Sequence, residues 1–353
     1  MSGVVHRLPY EAIVSMPEGI NEVRLYRDEI LKCDVVGKRL DLSMVDEKTL
    51  PEASTLKSIS HPNVVTVRSA SHVDGYVNDP TMRIIEIVTD YYPRGSITDA
   101  LLKGEFFSGN EAVAIVRNAL SGLRELHTKH GICHRDVKSG NILLTDPPVH
   151  SLIADLGVAG LFDEKGEVEA VNNPTLYSPP ELLTTGVLTA GSDLYSMALV
   201  LRELVGGRFP YENYTREGVV HALQRGASPL SSQDLQLPPW APKTLRRVYS
   251  KALHRDPNKR FGSAKDMDSA LSKVRIASWK RIDESSWEAR KNVDDNFCIR
   301  VDVRKTRLGL NMTVRSNRSG KFRRFQGYPD VQVPSLESKE AQQVFDAANT
   351  YAF

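Results

Sequence analysis

The sequence predicts an α+β chain in which a large mixed domain, residues 1–278, is followed by a small β-sheet-plus-helix domain, residues 297–353. Three observations carry this. Residues 83–89 form a short apolar run bounded by turn residues, the pattern of a buried strand. Residues 111–130 and 263–276 instead repeat apolar side chains at helical intervals: Ala112, Ile115, Val116, Ala119, Leu123 and Leu126 in the first, Ala264, Met267, Ala270, Leu271 and Val274 in the second. Beyond that the period changes to two, because Phe297, Ile299, Val301 and Val303 alternate with polar residues, as do Leu308, Leu310, Met312 and Val314.

A hydrophobic content of 41% and a charged content of 25% fit an ordinary globular protein, and a net charge of +2 by itself implies neither a nucleic-acid nor a membrane partner. Cys33, Cys133 and Cys298 are odd in number, far apart and in no metal-ligand spacing, which suits a reducing compartment. No apolar run reaches about 18 residues and the N-terminus lacks a signal-peptide core. A cytoplasmic protein with no membrane partner is the expectation.

The polar chemistry is concentrated in one stretch. Residues 131–144 place His134, Arg135, Asp136, Lys138 and Asn141 between apolar anchors, in the pattern His-Arg-Asp-x-Lys-x-x-Asn. A plain loop joining a helix to a strand needs neither these residue types nor this spacing. The stretch resembles the catalytic loop of the eukaryotic-type (Hanks-type) serine/threonine protein kinases. The resemblance implies a two-lobed protein-kinase fold over residues 10–278, with a small β-rich N-lobe (1–92) and a large helical C-lobe (93–278). It also implies ATP and Mg2+ as cofactors. Asp136 would orient the substrate hydroxyl and take its proton, Lys138 would neutralise the transferring phosphate, and Asn141 would ligate magnesium. Lys138 further implies a serine or threonine acceptor, and Arg135 a protein substrate.

Within that resemblance the chain reads in order. The family covers the nucleotide phosphates with a glycine-rich turn, and counting back from Val23, itself a nucleotide-binding candidate, puts Met16, Glu18 and Asn21 at the glycine positions. Either nucleotide binding is loosened or the turn is shifted around Gly19. Val35-Val36-Gly37-Lys38 resembles the strand that carries the phosphate-binding lysine, with Arg39 leaving the register open by one residue. Glu52 precedes His61-Pro62-Asn63 by the family interval, which implies a Lys38–Glu52 ion pair, although Thr49 to Glu52 also fits a capping box. Residues 90–97 resemble the hinge between lobes, which implies Thr89 behind the adenine, the backbone of Asp90, Tyr91 and Tyr92 at its edge and Leu143 beneath it. Asp155, in the Asp-Leu-Gly that follows Ile153, is implied as the second magnesium ligand, with Leu156 packing behind it. Tyr177 to Glu181 resembles the end of an activation segment, Asp193 the buried carboxylate that supports the catalytic loop, and Arg260 the partner of Glu181. Residues 158–174 contain no Ser, Thr or Tyr. Either one of Asp163, Glu164, Glu167 and Glu169 takes the place of a loop phosphate beside Arg135, or the loop is simply solvated and acidic, with Thr175 a further phosphorylation site.

Residues 279–296 read as a charged connector whose tryptophans pack locally. In the small domain, a helix over 337–351 sets Ala341, Val344, Phe345, Ala348 and Tyr351 on one face, suited to cover the sheet. Between Phe297 and Tyr328 nine basic residues stand against the single acid Asp302, a local balance of +8. A solvated basic face, a docking surface for an acidic protein and a nucleic-acid surface are all compatible with that count. For the whole chain the expected function is transfer of the ATP γ-phosphate to Ser/Thr hydroxyls of a protein. One rival is a pseudokinase-like scaffold, favoured by the altered glycine turn and opposed by Asp136, Lys138, Asn141 and Asp155. The other is a phosphotransferase acting on a non-protein substrate, opposed by Arg135 and the full-length activation segment.

Overall fold

The computed structural model describes residues 10–16, 23–41, 53–73, 84–146, 150–283, 285–290, 297–317 and 320–351. The glycine-turn positions 18, 19 and 21, and Glu52, lie outside them.

The N-terminal lobe is a five-stranded antiparallel sheet in the order β1-β2-β3-β5-β4. Its strands are β1 (Tyr10–Met16), β2 (Val23–Asp28), β3 (Cys33–Asp41), β4 (Val67–His72) and β5 (Ile84–Asp90), with a short helix α1 (Ala53–Ser58) before β4. The β-branched Val35 and Val88 are buried beside Tyr26, whose hydroxyl donates to Glu86 at 2.6 Å.

The larger lobe is built on helices α2 (Ile97–Leu102), α3 (Gly109–Lys129), α4 (Glu181–Thr184), α5 (Ala190–Gly206), α6 (Arg216–Gln224), α7 (Lys243–Ala252) and α8 (Ala264–Leu271). Helix α3 starts with a capping box, Ser108 with Glu111, and buries the apolar face its periodicity called for. Helix α8 stops at Leu271, earlier than its periodicity suggested, and Val274 reaches the core from the following turn. Three small antiparallel pairs decorate this lobe. They are β6 (Ile132–Cys133) with β9 (Gly160–Leu161), β7 (Ile142–Leu144) with β8 (Ser151–Ile153), and β10 (Glu167–Glu169) with β11 (Val187–Thr189). The lobes are stitched where Asn63 meets β8: Ile153 N donates to Asn63 O at 2.9 Å and Asn63 Nδ2 to Ser151 O at 3.0 Å. Gly122 on α3 permits this approach, since a Cβ there would stand 2.3 Å from Asn63 O.

The C-terminal region is a six-stranded antiparallel sheet, β12 (Ser278–Asp283), β13 (Ser286–Arg290), β14 (Cys298–Thr306), β15 (Gly309–Asn317) and β16 (Arg323–Arg324), with β17 (Val331–Val333) also paired to β15 and α9 (Lys339–Tyr351) against one face. The connector expected over 279–296 is corrected where residues are described: Ser278–Asp283 and Ser286–Arg290 are two strands of this sheet, and residues 291–296 lie outside the described residues. Trp279, Trp287 and Ala289 alternate inward, and both indole rings meet Phe345 edge-on at 5.4 and 5.6 Å. Asn349 Oδ1 accepts Ala277 N at 2.9 Å and Trp279 Nε1 at 3.2 Å, and Asn110 on α3 donates to Ser278 at 3.1 Å. One buried hydrophobic cluster therefore runs from α3 through Trp279 to Phe345.

The outer sheet face carries a cross-strand row, Lys280, Glu288, Arg300, Arg315 and Arg324. Like charges facing each other across strands repel, and acids relieve this. Arg300 pairs with Glu288, Arg315 with Asp302 at 2.9 Å, and Arg324 with Asp330. Arg304, Lys305, Arg307, Lys321 and Arg323 are exposed. Among the described residues no helix is long and apolar enough to cross a membrane.

Trp279→Ala should lower the unfolding free energy by about 3–5 kcal/mol. Because one core serves both the helical lobe and the sheet, chemical denaturation followed by several probes should show both shifting together; a sheet that melts alone at lower denaturant would contradict this.

Candidate active site

The catalytic-type loop hangs on one buried carboxylate. Asp193, in the first turn of α5, accepts His134 N at 2.9 Å and Arg135 N at 3.0 Å, and His127 Nε2 lies 2.8 Å from the same group. Burial alone would raise this carboxyl, but the hydrogen bond and charge of His127, with His134, outweigh it and hold it below the ordinary carboxylate value. The clamp holds Arg135 at φ 64°, a left-handed conformation that costs a non-glycine residue on the order of 1–3 kcal/mol.

Beyond the clamp, Lys138 Nζ lies 2.7 Å from Asp136 Oδ2, and Asn141 Nδ2 donates to Asp136 O at 2.8 Å and to Oδ2 at 3.0 Å. With its amide nitrogen so engaged, Asn141 presents Oδ1 as an acceptor. Ala154 N donates to Asn141 O, and Ala154 O lies 2.9 Å from His134 Nε2, which sets Asp155 beside the loop. Asp155 is also left-handed, at φ 60°, and its Oδ2 meets Lys38 Nζ at 2.6 Å. Burial pushes this carboxyl up, and the Lys38 ammonium, reinforced by His134 and Lys138, brings it below its usual value. Asn141 and Asp155 supply hard oxygen donors of the kind magnesium takes alongside phosphate oxygens. Among the described residues no group of three or more His, Cys, Asp or Glu could hold a metal by itself.

Lys38, Asn141 and Asp155 open onto a cavity of about 520 Å³ between the lobes. Val23, Lys38, Thr89, Asp90, Tyr91, Leu143, Asn141 and Asp155, all expected from the sequence, line it, as does Leu56. Lys38 faces it, whereas Arg39 pairs with Glu86 at 3.1 Å, which resolves the one-residue ambiguity. The partner of Lys38 seen here is Asp155; the expected pairing with Glu52 lies outside the described residues.

The activation segment is tied down mainly through its backbone. Arg135 donates from Nε to Val158 O at 2.5 Å, from Nη1 to Glu169 O at 2.8 Å and from Nη2 to Ala159 O at 2.7 Å. Glu169, one of the four candidate carboxylates, has its charge acting on the Arg135 guanidinium as well as its carbonyl bonded to it. Asp163 instead caps its own turn by accepting Lys165 N and Glu167 N. Gly160 makes the room, because a Cβ there would sit 2.6 Å from the guanidinium carbon of Arg135. Further along, Arg260 grips Glu181 in a buried two-pronged ion pair at 2.6 and 2.7 Å, and Ser192 adds a bond to the same carboxylate.

Sequence reasoning missed Glu203, which is 1% exposed at the end of α5 and accepts Ser139 Oγ, Tyr177 OH, Phe209 N and Tyr211 OH. The available signal was an acid inside the apolar run 194–205. Burial, then Glu203, pushes the Tyr177 hydroxyl well above its ordinary value, so it stays a donor.

The carboxylate-clamped loop and the Lys38–Asp155 pair thus meet at one interlobe cavity. The family model for the protein kinase domain matches residues 22–272, and the chain belongs to that family. It is 32% identical over 227 residues to the LRR receptor-like serine/threonine-protein kinase FEI 2 of Arabidopsis thaliana, covering 58% of this chain and 36% of that protein. It is 25% identical over 296 residues to the serine/threonine-protein kinase PrkC of Bacillus subtilis, covering 82% and 42%. It is 27% identical over 266 residues to the serine/threonine-protein kinase PknB of Mycolicibacterium smegmatis, covering 72% and 41%. The matches thus span well under half of each relative's length.

Removing one partner of the buried Arg260–Glu181 pair, as in Arg260→Ala, should cost about 3–5 kcal/mol of stability in chemical denaturation. Asp155 and Asp193, with folded-state carboxyls below their unfolded values, contribute stability that is present above the unfolded pKa of about 4 and lost as pH falls through the folded values. Asp193→Asn should therefore flatten the acid limb of the stability profile measured by circular dichroism between about pH 5 and 2.

Proposed function

We propose that the chain is an ATP-dependent protein kinase that transfers the γ-phosphate to serine or threonine hydroxyls of a protein substrate. The observation that carries this reading is the placement of the Lys138–Gly140–Asn141 turn. Gly140 lines both the interlobe cavity and a second cavity, and Asn141 in the first and Lys138 in the second both bond Asp136 Oδ2, so nucleotide and acceptor can meet at that carboxylate. The Asp136 carboxylate orients the incoming hydroxyl and takes its proton as the oxygen attacks the γ-phosphorus and ADP leaves. Lys138 offsets charge on the transferring group, Lys38 holds the phosphates, and Asn141 and Asp155 would hold a Mg2+ ion, which would supply charge screening for the nucleotide. Three free cysteines suit a cytoplasmic setting.

The exposed cations Arg304, Lys305, Arg307 and Arg323 make no ion pair among the described residues, and in this reading they draw an acidic stretch of the substrate protein to the sheet.

Incubation with labelled ATP, Mg2+ and a serine/threonine peptide library, followed by phosphosite mapping, tests the proposal. Asp136→Asn and Asp155→Ala should each lower transfer at least about a hundredfold while the circular dichroism spectrum is kept, and Lys38→Ala should fall nearly as far. Normal transfer by either Asp variant would overturn the role given to that residue, and no transfer by the unaltered chain would sink the enzyme reading. Reversing Arg304, Lys305 and Arg307 to Glu should slow phosphorylation of an acidic protein substrate more at low salt than at high salt, with short peptides unaffected; equal rates across the salt series would return this face to solvated surface.

A further inference from the structure

The second cavity, of about 450 Å³, borders the catalytic loop through Lys138 and Gly140. Lys138 Nζ lies 2.7 Å from Asp136 Oδ2, which sets the cavity beside the carboxylate that receives the substrate hydroxyl in the kinase reading. The floor is apolar, made by Leu176 and Val219, 6% and 7% exposed, and by the rings of Tyr211 and Tyr214. The hydroxyls of these rings are already engaged. Tyr211 OH lies 3.1 Å from Glu203 Oε1 and 2.6 Å from Tyr177 OH, and Tyr214 OH donates to Asp234 while accepting Ser231 N at 3.0 Å.

The same bonds withdraw the nearby carboxylates. Glu203 is buried with four donors on its two oxygens, and Asp234 also takes Ser231 Oγ at 2.6 Å. No acid lines this cavity among the described residues; its charged lining groups are Lys138 and Arg216. Lys138 is held by Asp136. Arg216 is different: it is the exposed first residue of α6, a helix capped by Thr215, and it makes no ion pair among the described residues. Glu217, its neighbour in the helix, does not line the cavity.

We propose that Arg216 is a specificity-determining residue that favours substrates with an acidic side chain close to the accepted serine or threonine, with an apolar neighbour seated on Leu176 and Val219. The inference rests on the kinase reading and names its substrate class. A guanidinium at the edge of an apolar hollow attracts a carboxylate and repels lysine or arginine, and with both carboxylates saturated nothing in the cavity rewards a basic substrate.

The test is a set of peptides around one serine, each flanking position varied among Glu, Ala and Lys, phosphorylated by the full chain. At one flanking position Glu should be preferred over Lys by about threefold to tenfold, the preference shrinking with added salt. Arg216→Glu should reverse the order at that position and Arg216→Lys should keep it. Equal rates for Glu, Ala and Lys at every position, with the neutral peptide phosphorylated, would overturn the inference and leave the kinase reading standing; so would a preference that Arg216→Glu fails to move. No phosphate on any peptide would overturn the kinase reading and the inference together.

Discussion

A carboxylate taken almost wholly out of water, Asp193, is the constraint on which the site depends. Leaving it buried without partners would cost several kcal/mol, so the chain must bring donors to it. The donors are two successive backbone N–H groups of the loop, those of His134 and Arg135, the His127 ring at the end of α3 and the Cys133 thiol. Satisfying the charge and positioning the loop are thus one event. The strained φ of Arg135 is the local consequence, held in place because relaxing it would strip the carboxylate of its bonds.

From that anchor, order spreads outward through hydrogen bonds that leave few alternatives. Arg135 carries it into the activation segment through three carbonyl oxygens, and β6 and β10 zip that segment to the loop and to the strand before α5. The Glu181–Arg260 pair closes the far end of the segment against the helical core. The carbonyls that Arg135 bonds, those of Val158, Ala159 and Glu169, lie within residues 158–174, where no Ser, Thr or Tyr stands.

The C-terminal sheet is bound into the same economy of burial. Trp279 and Trp287 have no room to hide in a strand pair, and Phe345 from α9 supplies the missing cover. Asn110, Asn349 and the shared hydrophobic cluster tie that unit to α3 and to the loop after α8. On the opposite face, three arginines facing one another across strands are tolerable because Glu288, Asp302 and Asp330 stand next to them, which makes that face less positive than a count of cations implies.

Much was legible in the chain itself. Residue type and spacing sufficed for the α+β class, for the helical face of α3, for the grouping of Asp136, Lys138, Asn141 and Asp155 in one place, and for the Glu181–Arg260 pair, because chemistry dictates each of these locally or through a recurring interval. The connector that proved to be β12 and β13 was not legible, since a charged strand at a sheet edge differs from a charged linker only in what pairs with it. Whether Lys38 or Arg39 faced the cavity depended on sheet register, and the backbone capture of Arg135 on a carbonyl path with no side-chain signature. Glu203 and Arg216 show the same division. Sequence alone determined that an acid sits inside an apolar helix and an arginine follows a helix cap; only the tertiary structure decided that the first is saturated by four donors and the second stands beside a catalytic loop, because hydrogen-bond saturation and proximity are properties of chain segments brought together from far apart.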